Sequence, residues 1–151
     1  QQRYNDTRQE LQRALECKRP FGHAAELWKT WSLLHDLEQA AGNVPAAADA
    51  RQQAVQCYLE YRRAGGESQQ PGASLCAFIA NAMRQGDTTA VAQELAYLAA
   101  ITDPPPRLQT MLPKLQAILY GDRDPALAAD PALDYDDAAE LLLLLERLGV
   151  G

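Results

Sequence analysis

Three Gly-Asn or Gly-Asp pairs, Gly42-Asn43, Gly86-Asp87 and Gly121-Asp122, punctuate this chain, and each follows a segment whose apolar residues recur at helical spacing. Glycine reaches the left-handed backbone conformation that ends a helix without the steric cost a side chain would add. After the first pair, Pro45 stands where a new helix can begin, because the N–H it lacks would have gone unpaired there in any case. Two helices joined by so short a break fold back on one another. Between the breaks no run of alternating β-branched residues is long enough to make a strand, so the sequence predicts an all-α fold of about seven helices.

Start and stop signals divide the rest. A first helix is expected from about Asp6, an N-cap with Glu10 in the next turn, to Lys18, where Arg19-Pro20-Phe21-Gly22 stops it. A second covers about His23 to Ala41. Leu27, Trp31 and Leu34 form one apolar stripe and Leu33, Leu37 and Ala40 or Ala41 another, which predicts burial on two sides. The third, about Pro45 to Ala64, carries Ala47, Ala50 and Ala54, small enough to let the preceding helix come close. Beyond the loop GGESQQPG lies a second pair, ASLCAFIANAMRQ and TTAVAQELAYLAAI. Pro113 interrupts LQTMLPKLQAILY, and a proline inside a helix costs about 3 kcal/mol, so a kink or a helix starting at Leu112 is expected there. Residues 124 to 134, DPALAADPALD, read as an ordered, packed connection. Asp134 then caps a last helix, DDAAELLLLLERLG, whose leucines are apolar all round and would lie under other elements or face a missing neighbour.

The pattern returns on itself. A shift of 44 residues lays Trp31 on Leu75, Leu34 on Phe78, Gly42-Asn43 on Gly86-Asp87, Ala47 on Val91 and Ala54 on Leu98. Self-similarity at such a period marks stacked helical arrays, in which each hairpin buries its apolar face against its neighbours. These residues resemble the tetratricopeptide (TPR) repeat over about 23 to 122: Trp31 matches the early aromatic, Leu34 the following leucine, Gly42-Asn43 the turn, and Ala47 and Ala54 the two small positions of the second helix. His35, Glu38 and Arg51 depart from the small residue, tyrosine and aromatic usual at those points. The resemblance implies a right-handed stack of antiparallel hairpins, an α-solenoid, within one domain. A capping helix would occupy 1–22, hairpins 23–66 and 67–103, and a degenerate third unit with a C-terminal capping helix 104–151. The long helix running into YRRAGGE is similar to repeats of large bacterial signalling proteins.

Charge and composition exclude several functions. The net charge is −6, yet residues 1 to 120 carry twelve acidic and twelve basic side chains, so the whole excess lies in 121 to 151. Phosphate-backbone binding needs a clustered Lys/Arg surface, so nucleic acid is not an expected partner. No window approaches the 18 apolar residues of a membrane span. Cys17, Cys57 and Cys76 sit within apolar helical patterns and read as reduced core thiols, which points to a reducing, cytoplasmic setting. The opening QQRYNDTRQE, without an initiator Met, reads as the start of an excised piece of a longer protein.

The chemistry-bearing residues form no motif. Gly65-Gly66 and Gly72 stand outside any phosphate loop, and no cofactor is expected. His23 and His35 lack metal-ligand spacing, and His35 reads as a packed or hydrogen-bonded histidine. No catalytic motif surrounds Cys17, Cys57, Cys76 or Ser32. Asp130, Asp134, Asp136, Asp137 and Glu140 lack the ligand order of a calcium loop, and read as a solvated helix start stabilised by the helix dipole.

The expectation is a non-catalytic protein-protein interaction module, a scaffold and not an enzyme. The family resemblance implies that a partner peptide or domain lies on a concave face lined by the first helix of each hairpin. Those sites fall on Lys29, Ser32, Asp36 and Gln39 and on Cys76, Ala80, Met83 and Arg84, with Lys29 and Arg84 as electrostatic anchors. The basic and amide pattern by which some relatives clamp a terminal carboxylate is missing. One alternative is an intramolecular structural or sensory segment of a larger multidomain signalling protein, its partner another domain of the same chain. The other, a small helical enzyme, would need a deep pocket with convergent polar groups. Nothing in these patterns encodes an oligomeric state.

Overall fold

A computed structural model describes residues 2 to 149. Among them are seven α-helices and no strand: α1 (Gln2–Lys18), α2 (Leu27–Ala40), α3 (Val44–Arg63), α4 (Pro71–Gln85), α5 (Thr88–Ala99), α6 (Pro106–Leu119) and α7 (Tyr135–Arg147). Tighter 3-10 segments cover Arg19–Ala25 and Pro125–Ala129. No helix among the described residues is long and apolar enough to cross a membrane. The helices gather into two compact units that part between Gly66 and Glu67, inside the GGESQQPG loop.

All three Gly-Asn/Asp breaks are the same cap. Gly42, Gly86 and Gly121 take φ of +74°, +73° and +105°. In each case the next amide donates to the carbonyl five residues back: Asn43 to Glu38 at 2.9 Å, Asp87 to Ala82 at 3.0 Å and Asp122 to Ala117 at 2.9 Å. This bond pairs a carbonyl that a helix end would otherwise leave open, and it needs the glycine's left-handed turn to form.

In the first unit α2 lies between α1 and α3, antiparallel to both. Arg8 of α1 meets Glu38 of α2, while Lys18 Nζ donates to Thr30 Oγ1 at 3.0 Å near the other end. On the opposite side the His35 ring, through Nδ1, bonds the Ala47 carbonyl at 2.8 Å, which identifies it as the hydrogen-bonded histidine expected. Trp28 stacks on Tyr61, ring centres 4.7 Å apart, and meets Tyr58 edge-on at 5.8 Å. Ala47, Ala50 and Ala54 are buried, and their small size admits α2. Leu15, Leu34 and Ala50 form a core with Leu11, Leu27, Trp31 and Leu37 around it.

Several expectations fail here for local reasons. α1 begins at Gln2, so Asp6 lies inside it and not at its cap. α2 begins at Leu27 and not His23, because Gly22 at φ +57° breaks the path and Glu26 enters the left-handed region at φ +48°. The second stripe of α2 is buried only in part: Leu37 packs against the core, but Leu33 is 57% exposed and Ala40 and Ala41 lie at the surface. Polar Thr30 and Glu38 go inside instead, each with a partner from α1. Of the cysteines only Cys76 is fully buried; Cys57 is half-buried and Cys17 is exposed.

In the second unit α4 packs against α5, α6 and α7. Gly72, in its first turn, faces the Asp137 carboxylate in the first turn of α7; its last turn shares a hollow with Arg147, in the last turn of α7. The two helices therefore run parallel, and α7 lies more along α4 than along α6. α6 runs from Pro106 through Pro113 without starting anew at Leu112; Pro113 stands on its exposed side. Residues 124 to 134 form an ordered connection: the Asp124 and Asp130 carboxylates accept from the amides of Ala126 and Ala132, both at 2.8 Å, and Ala128 and Leu133 are buried. Leu141, Leu143, Leu144 and Leu145 are buried and Leu142 is half-buried, so the leucine run does not face a missing neighbour.

Candidate functional site

The four expected partner-facing residues of α2 share one side of it. At 100° per residue, Lys29, Ser32, Asp36 and Gln39 fall on the arc opposite Leu27, Leu34 and Glu38, together with Leu33 and Ala40. Lys29, Asp36 and Gln39 are exposed and Ser32 is half-buried. The Lys29 ammonium pairs with the Glu26 carboxylate at 2.7 Å, both partly in solvent, where such a pair contributes little.

The expectation for α4 needs correction. Cys76 and Ala80 are buried, because α4 has neighbours on three sides, and neither offers a partner an open face. Met83 is half-buried; Arg84 is exposed and donates to Asn81 Oδ1. Ala80 forms part of the floor of a hollow of about 260 Å³ that Ala77, Asn81 and Arg84 share with Arg147 from α7. A second hollow, of about 460 Å³, lies in the first unit among Gln2, Arg3, Tyr4, Thr7 and Leu37.

The acidic run before and within α7 is also corrected. It is not a solvated helix start: Asp136, Asp137 and Glu140 are buried, Asp137 to 2% exposure. Asp134 is the N-cap by position, but its side chain does not cap. It turns to Arg107, whose Nε lies 2.7 Å from Asp134 Oδ2. The same guanidinium donates to Asp137 Oδ2 at 3.0 Å and to Asp136 Oδ2 at 2.8 Å, and reaches Gln70 Oε1 at 3.3 Å. Asp134, Asp136 and Asp137 can bring oxygens within 4.8 Å of one another, the spacing of a cation site, and Arg107 supplies the cation from the first turn of α6. The first turns of α4, α6 and α7, each a partial positive charge, converge on it.

Burial pushes the Asp137 carboxyl above its ordinary range; the Arg107 hydrogen bond opposes this, and the neighbouring Asp136 and Asp134 charges add to it. Arg107 is held more firmly protonated, above all by its hydrogen bond to Asp137. In the first unit the Arg8 guanidinium binds both Glu38 oxygens and holds that carboxyl below its usual range, against the effect of burial. Burial, aided by Glu60, raises the Cys57 thiol. No sequence signal joins Arg107 to residues thirty positions away; only the packing of α6 against α7 does so.

The chain matches no family model, no curated protein and no solved structure.

Proposed function

We propose that this protein is a non-catalytic interaction module, a TPR-like stack of helix hairpins that holds a peptide or partner domain. The observation that carries the reading is the solvent face of α2. Leu33, 57% exposed, stands there with Lys29 and Asp36 about one helical turn away on either side and Gln39 a further turn along the same face. An apolar centre inside a charged and amide rim is the anatomy of a contact patch. The identical caps at Gly42, Gly86 and Gly121 support the repeat character of the array. The competing reading, an internal segment facing its own chain, would gain support from an exposed leucine-rich last helix, and those leucines are buried.

The test is site-specific photocrosslinking. A photoreactive residue at Leu33 is expected to capture a discrete protein, to lose it when Lys29→Glu and Asp36→Lys are added, and to differ from the same probe at Gln53 on the exposed side of α3. Identical adducts from both positions would sink the interaction module.

A further inference from the structure

We propose that the hollow between the last turns of α4 and α7 docks an acidic peptide segment of the partner, gripping side-chain carboxylates with Arg84 and Arg147. This rests on the interaction-module reading and gives it a chemical specificity.

Ala77, Ala80, Asn81 and Arg84 recur at helical spacing on one face of α4, and Arg147 closes the hollow from α7. Two of the lining residues are small alanines, and the other three, Asn81 and the two arginines, bring hydrogen-bond donors. In the same unit Arg107 meets three aspartates, and Arg123 donates to the carbonyls of Ile118 and Asp122. Arg84 has only the Asn81 amide oxygen, and neither Arg84 nor Arg147 makes an ion pair among the described residues. Both arginines line the one hollow, so an anion bound there would face two positive charges.

The chemistry selects carboxylate. A guanidinium fork matches a carboxylate with two parallel hydrogen bonds, and Asn81, with its oxygen taken by Arg84, keeps amide donors for the same ligand. The helix C-termini at this end carry partial negative charge, which opposes a dianionic phosphate more than a monoanionic carboxylate. A volume of about 260 Å³ falls below the range of small-molecule pockets, roughly 300 Å³ upward, and suits the head groups of one or two side chains.

The test uses the full chain with labelled arginine side chains, titrated by an acetylated, amidated hexaglutamate peptide at constant ionic strength. Saturable shifts of the Arg84 and Arg147 Nε–Hε signals are expected. Arg84→Gln or Arg147→Gln should weaken binding about fivefold each, and hexaglutamine should leave the signals still. Arg84→Lys, which keeps the charge and loses the fork, should fall between wild type and Arg84→Gln, and it serves if the glutamine variants lose helicity. Linear shifts, or equal shifts at the exposed Arg3 and Arg19, overturn the proposal, as does inorganic phosphate saturating the two signals more tightly than the peptide. A partner captured at Leu33 with no hexaglutamate response sinks the hollow and leaves the module standing. Hexaglutamate binding with no specific adduct at Leu33 does the reverse.

Discussion

In the first unit one arginine, Arg8, faces one buried carboxylate, Glu38; in the second, Arg107 faces three, with Asp136 and Asp137 buried and Asp134 half in solvent. Both devices tie a helix to a neighbour about thirty residues away in sequence. Their charge balance differs, and so does the state of the acid. With a guanidinium to itself, Glu38 is held below its ordinary range. Asp137 shares its guanidinium and has like charges beside it, so burial prevails and its carboxyl rises. A buried acid is thus governed by the number of charges competing for its partner as much as by its depth.

The sharpest way to break this comparison is to remove the arginines. Arg107→Ala leaves buried carboxylates uncompensated and is expected to cost about 3 kcal/mol, read from urea unfolding by circular dichroism. Arg8→Ala strands only Glu38 and should cost less. Both tryptophans, Trp28 and Trp31, lie in the first unit, so their emission follows that unit while dichroism follows the whole chain. Equal losses from the two substitutions would erase the distinction.

Gly72→Ala probes the crowding around the second tie. An added Cβ would lie 2.2 Å from Asp137 Oδ1 and 3.1 Å from Met111 Sδ, and because Arg107 pins that carboxylate the expected cost is about 2 kcal/mol. Gly42→Ala meets no neighbour and should cost about 1 kcal/mol, from its positive φ alone. A harmless Gly72→Ala would mean that the aspartate is free to move.

The pH dependence should have opposite signs in the two units. The lowered Glu38 carboxyl contributes stability present above its unfolded value near 4.5 and lost as pH falls through its folded value. Glu38→Gln should therefore be less stable than wild type at neutral pH, with the gap closing in acid. The raised Asp137 carboxyl contributes stability present below its unfolded value near 3.8 and lost as pH rises through its folded value. Asp137→Asn should gain on wild type as pH rises, and that gain should vanish in acid. Parallel profiles for the two variants would contradict the opposite shifts. The smallest effect leaves stability untouched: Cys17 should alkylate readily in the native chain, Cys57 slowly because burial raises its thiol, and Cys76 only on unfolding.

Local signals were legible in this sequence. The Gly-Asn/Asp breaks, the small alanines of α3 and the ordered DPALAADPALD connection all appear where residue chemistry alone predicts them. Helix geometry alone puts Lys29, Ser32, Asp36 and Gln39 on one arc of α2, but Leu33 lies on that arc too, and apolar periodicity expected it to be buried. Leu33 was misjudged because periodicity ranks faces by apolarity, and the burial of Glu38 gives no such signal, since only the fold brings Arg8 to neutralise that carboxylate.

By itself, then, the sequence determined where helices stop and which side chains share a face, because both depend on bonds and angles within a few residues. Tertiary structure alone decided which acids are buried, that Cys76 and Ala80 turn inward, that Arg107 gathers three aspartates, and that Arg147 joins Arg84. Each of those outcomes depends on desolvation and Coulomb terms between helices far apart in the chain, and such terms acquire a value only when packing sets the distance and excludes the water.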